Sequence, residues 1–165
     1  MCQSSLLYPF GVEFTEIAEI EESYTARLSD GRNLGQAYDA LRERFDGGHR
    51  DRETCLRLMF LAWYACSEPT WLTGLPEEGT KDVFRAAFDQ LGGEETTDPE
   101  VLCTTALMAS MFPYCCGPEA EWAAIGDRLT KRYEGVPAAS KPNESVFIGR
   151  GAYGKYFAHM VRRRQ

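Results

Sequence analysis

The sequence predicts an all-α fold of six to seven helices packed as antiparallel hairpins. Three observations carry this. Apolar residues recur at helical spacing along most of the chain, as in Leu34, Tyr38, Leu41 and Phe45. Glycine and proline punctuate those stretches at intervals that suit helices joined by short loops. The stretch Thr54–Cys66, TCLRLMFLAWYAC, is apolar nearly all round with Arg57 its only charge, which marks a central buried helix.

In chain order, residues 1–11 read as an arm that docks through Leu6, Leu7, Tyr8 and Phe10, with Pro9 and Gly11 breaking any helix. Residues 12–28 fit both a helical stripe (Phe14, Ile17, Tyr24, Leu28) and a spoiled strand alternation, and the Glu-rich run favours the helix. Asp30-Gly31 signals a turn, and Asn33 is placed to cap an amphipathic helix that ends at Gly47-Gly48. The central helix starts near Asp51, with Asp51 and Glu53 at its positive end, and runs to about Cys66. Residues 67–79 read as a loop, because Pro69, Gly74, Pro76 and Gly79 forbid a long helix.

Thr80 is expected to cap a helix that buries Val83, Phe84, Ala87, Phe88 and Leu91 and stops at Gly92-Gly93. Asp98-Pro99-Glu100 is a strong helix start: a cap, proline at the first position, and an acid beside it. The helix that follows is again apolar almost all round, to about Phe112, where Pro113 ends or kinks it. Trp122, Ile125, Leu129 and Tyr133 then mark a helix over 119–134, stopped at Gly135. Residues 136–150 form a loop before a last helix from about Tyr153 to Arg163.

Three amphipathic helices end alike, in RFDGG, QLGG and RYEG, and their stop glycines Gly47, Gly92 and Gly135 lie 45 and 43 residues apart. A period of about 40–47 residues with two helices per unit is that of a short HEAT-like array. Helical hairpins of ordinary length produce similar spacings without any repeat, so both readings stand, and the all-α class depends on neither.

A chain of 165 residues with 44% apolar and 26% charged residues reads as one folded domain over 1–165. A net charge of −7 and a pI near 4.9 argue against a nucleic-acid binder, which needs clustered Lys and Arg, and permit a partner with a basic surface. No stretch reads as an export signal or a membrane span. The expectation is a cytoplasmic protein whose six cysteines stay reduced, most of them as core filler.

Chemical motifs are few. Gly149-Arg150-Gly151-Ala152-Tyr153-Gly154 spells G-x-G-x-x-G after a strand-like Val146-Phe147-Ile148, but the second strand and acid of a dinucleotide fold would lie beyond Gln165. A tight helix start with Tyr153, Tyr156 and Phe157 packing inward is the simpler reading. The cysteines show no C-x-x-C, and the two histidines, His49 and His159, have no ligand partner nearby, so no metal or cofactor is expected.

The preferred function is protein–protein interaction without catalysis, as an adaptor, inhibitor or immunity-type protein that meets a basic partner. Its face is read from the acidic loops, Glu68, Glu77, Glu78, Glu94 and Glu95, with Trp71 as an exposed anchor. The alternative is a small-molecule-binding or enzymatic helical domain whose pocket is lined by His49, Arg50, Arg52, Arg150, Tyr153 and His159. Oligomeric state is not legible in the sequence.

Overall fold

The computed structural model describes residues 13–26 and 33–163, and of 22–26 and 33 the backbone alone. The docking arm, the Asp30-Gly31 turn and the side chain of Asn33 fall outside the described residues. Every regular element within them is helical. In order these are α1 Phe14–Ala26, α2 Asn33–Asp46, α3 Arg52–Ser67, the one-turn α4 Thr70–Thr73, α5 Thr80–Gln90, α6 Pro99–Met111, the one-turn α7 Pro113–Cys116, α8 Glu119–Glu134 and α9 Gly151–Arg162.

The two greasy stretches become the axis of the molecule. Every residue from Thr54 to Trp63 in α3, and from Glu100 to Ala109 in α6, is buried. Neither helix has a polar face to turn outward, so both must be sheathed by their neighbours. α3 packs chiefly on α5 and α2, and α6 on α8. Between α3 and α6 the Trp63 indole Nε1 donates to the Met108 carbonyl at 3.2 Å, which satisfies the one polar group of a fully buried ring. The buried side chains of all the long helices join in one continuous apolar cluster.

α3 and α6 start as expected. The Asp51 carboxylate accepts from Thr54 N at 3.0 Å, and the Asp98 carboxylate from Glu100 N at 2.9 Å. Each satisfies backbone donors that the first helical turn leaves without partners. α1 resolves the ambiguity in favour of helix over Phe14–Ala26, while residues 12, 27 and 28 lie outside the described residues.

Three local expectations are corrected. Thr80 is the first helical residue rather than the cap, and Gly79, at φ +75°, stands in the cap position. The 67–79 loop contains α4, closed by left-handed Gly74. The strand-like Val146-Phe147-Ile148 is mostly a 3-10 turn over Glu144–Phe147, because only Phe147 faces the core while its neighbours stay exposed. Gly135 stops α8 as expected, in ordinary right-handed geometry, unlike Gly48 and Gly92, which are left-handed.

Candidate functional site

Three residues of the sequence-derived ligand pocket do converge, but on a carboxylate of the protein itself. Glu100, buried on the first turn of α6, accepts from Arg52 Nη2 at 2.7 Å, from Arg150 Nη1 at 2.5 Å, and from the Tyr153 hydroxyl. Arg52 also pairs with Asp98 at 2.6 Å, and Arg150 with Glu53 at 2.5 Å. Burial and the Glu100 charge hold the Tyr153 hydroxyl well above its ordinary range, so it stays protonated and donating. The dense polar run at 49–53 therefore pairs outward, tying α3 to α6 and α9. With their guanidiniums and hydroxyl so engaged, Arg52, Arg150 and Tyr153 serve as ties between helices.

A second carboxylate fills the position where a phosphate could have sat. Glu21 of α1 reaches the N-terminus of α9, where its Oε2 accepts from Ala152 N at 3.1 Å and from Arg57 Nη2 at 2.6 Å. Among the described residues its Oε1 and the Arg57 Nε have no hydrogen-bond partner. Burial raises the Glu21 carboxyl above its ordinary range, and the Arg57 charge and hydrogen bond offset only part of that rise. Two of the three motif glycines are steric requirements: a Cβ at Gly151, φ +60°, would overlap Glu21 Oε2, and one at Gly154 would overlap the Phe147 carbonyl. The simpler reading of the G-x-G-x-x-G run, a tight helix start, is what the structure contains.

The remaining pocket residues lie elsewhere. His49 and Arg50 are exposed between α2 and α3, with Arg50 stacked on the Phe45 ring at 4.6 Å. His159 lines a separate hollow of about 300 Å³, walled by Glu21, Leu34, Phe60, Tyr64 and Tyr156. The six residues thus fall into three places.

The partner-binding residues divide more simply, by the two ends of α5. Glu68, Trp71, Glu77 and Glu78 precede it, in the α3–α5 connection, and Glu94 and Glu95 follow it. Eleven helical residues, about 16 Å, separate the two groups. The α6–α8 connection joins the first group: α7 packs on α3, α5 and α8, and the start of α5 and residues 116–118 line one open groove of about 430 Å³. Within 67–85 and 112–122 the chain has six carboxylates, Glu68, Glu77, Glu78, Asp82, Glu119 and Glu121, against two cations, Lys81 and Arg85.

Pairing differs sharply between the ends. Beyond α5, Glu94 pairs with Arg128 at 2.7 Å and Asp98 with Arg52. Before it, Arg85 pairs with Glu121, while Glu68, Glu77, Glu78, Asp82 and Glu119 form no ion pair among the described residues. The same end carries exposed rings. Trp71 is 81% exposed, on a one-turn helix whose Thr73 is buried and which is followed by buried Leu75. Tyr114 and Met111 are also exposed. Sequence reasoning did not place Asp82, Glu119, Glu121 and Met111 at this end. The signal available in the sequence is the recurring exit Cys66-Ser67-Glu68-Pro69 and Cys116-Gly117-Pro118-Glu119, which gives the two connections a common start.

Among the described residues no helix is long and apolar enough to cross a membrane. Comparison with family models, with curated proteins and with solved structures finds no match to this chain.

Proposed function

We propose that the protein is a non-enzymatic interaction domain that binds a basic protein surface through the end formed by the α3–α5 and α6–α8 connections. The observation that carries this reading is the concentration there, around solvent-exposed Trp71, of five carboxylates that form no ion pair among the described residues, whereas at the opposite end Glu94 and Asp98 are paired and Glu95 alone of the acidic loop is not. An aromatic anchor ringed by charge suits a hot spot with an electrostatically steered rim. In this reading α3–α4–α5 and α6–α7–α8 are two units of a short HEAT-like array, whose inter-helix connections fall on one edge, as binding loops do in such arrays.

The test is capture from the cell that makes the protein, with wild type, with Trp71→Ala, and with Glu77→Gln/Glu78→Gln, at low and high salt. A species held by wild type and weakened by both variants and by salt supports the reading. Capture indifferent to all three contradicts it.

A second reading rests on the hollow lined by His159. Phe60, Tyr64 and Tyr156 give it the aromatic wall of a small-molecule site, and a ligand-induced rise in melting temperature that His159→Ala abolishes would favour it over the partner surface.

A further inference from the structure

A buried acceptor stands in the wall of the hollow beside α9. Glu21 takes two donors, Ala152 N and Arg57 Nη2, and both reach the same oxygen, Oε2, at 3.1 and 2.6 Å. Its other oxygen, Oε1, on a side chain 0% exposed, receives no hydrogen bond among the described residues. A buried acceptor in that state is costly, and a donor brought to it would relieve the cost. Glu21 is part of the wall of the hollow of about 300 Å³, a volume at the small end of ligand pockets. Glu21 and Phe60 are buried members of that wall, Tyr64 and Tyr156 are half-buried, and Lys155 and His159 are exposed. The carboxylate thus belongs to the floor and the basic side chains to the rim. Between them the rings pack on one another, Phe60 stacked on Tyr64 with centroids 5.4 Å apart and 5.3 Å from Tyr156. Rings so arranged offer faces and edges to a further flat ring.

We propose that this hollow takes a small neutral aromatic molecule whose N–H or O–H donates to Glu21 Oε1. The inference rests on the second reading above, that the hollow is a small-molecule site, and is independent of the partner surface. Other ligand classes fit less well. An anion would meet the Glu21 carboxylate. A cation would find the Glu21 charge already matched by Arg57 at 2.6 Å, with Lys155 adding positive charge at the rim. A hydrocarbon of the same shape would cover Oε1 and leave it without a donor. A neutral ring donor satisfies the oxygen and brings no new charge into the core.

The test titrates the full chain with indole and with benzofuran, which has the same shape but an ether oxygen in place of the N–H, and follows the backbone amides by NMR. The expected result is saturable binding of indole that shifts the Ala152 and Tyr156 amides, about tenfold to a hundredfold tighter than benzofuran. Benzofuran bound there as tightly as indole overturns the proposal and leaves the hollow a small-molecule site. Absence of saturable shifts at Ala152 and Tyr156 with either probe overturns both the proposal and the reading it rests on. Glu21→Leu should erase the preference for indole, and a preference that persists in that variant also overturns the proposal. Because this substitution is expected to weaken the fold, the two probes on wild type decide if the variant does not fold.

Discussion

The Arg57 guanidinium and the Glu21 carboxylate meet at 2.6 Å with side chains 2% and 0% exposed, joining α3 to α1 inside the core. Glu21 also accepts from the Ala152 N–H in the first turn of α9, so one charge pair joins three helices. Among the described residues Glu21 Oε1 and Arg57 Nε have no partner, which is the costly form of a buried polar pair. Breaking the pair from one side strands a charge. Glu21→Leu or Arg57→Met alone is therefore expected to cost about 3–5 kcal/mol, and the double replacement to recover much of it. Denaturant unfolding of the two single variants and the double variant measures the coupling, and strictly additive losses would contradict it.

Acid should loosen the α3–α6 junction through Asp98. Burial pushes its carboxyl up, but the Arg52 guanidinium and the N–H groups of Glu100 and Val101 outweigh that and hold it below 3.8. A group depressed on folding contributes stability above its unfolded value, and that contribution is lost as pH falls through the folded value. Melting temperature should therefore fall as pH drops below about 4, and Asp98→Asn should flatten that limb. Glu21, held above its ordinary 4.5, has the opposite sign: its contribution is fully present below 4.5 and is lost as pH rises. At neutral pH, loss of the Asp98 cap by Asp98→Ala is expected to cost about 1–2 kcal/mol. An acid limb identical in wild type and Asp98→Asn would remove Asp98 from this role.

Gly151 is expected to tolerate no side chain. Its left-handed φ alone disfavours alanine by about 1 kcal/mol, and the added Cβ would drive into Glu21 and against the Arg57 guanidinium at 2.9 Å. Gly151→Ala should therefore destabilise more than Gly149→Ala, where φ is +74° but a Cβ meets nothing within 4 Å. Urea unfolding of the two variants isolates the steric part, and equal losses would contradict it.

The helices were legible because their signals are local. Thr54–Cys66 has no polar face, Asp98-Pro99-Glu100 is a helix start in three residues, and Gly47-Gly48 and Gly92-Gly93 are stops. The short elements were not, because α4 and the turn at 144–147 owe their shape to packing: Thr73 and Leu75 are buried in one, Phe147 in the other. The charge pairs were beyond reach for a different reason. Arg52 to Asp98, Arg150 to Glu53, and Arg57 to Glu21 span from 36 to 97 residues, and no spacing rule connects such positions. Hence the sequence could not show that Arg52, Arg150 and Tyr153, which it offers as ligand residues, bond to Glu100 on another helix. Trp71 was singled out correctly as exposed, because a ring between Pro69 and Gly74 has too little regular structure around it to cover it.

The most direct measurement is site-specific photo-crosslinking in the cell that makes the protein, with a benzophenone side chain at position 71 and, as the comparison, at position 95 beyond the far end of α5. The account predicts a discrete protein adduct from position 71, joined through a basic segment of the partner and weakened by Glu77→Gln/Glu78→Gln, with none from position 95. No adduct at 71, or the same adduct from both positions, would contradict it.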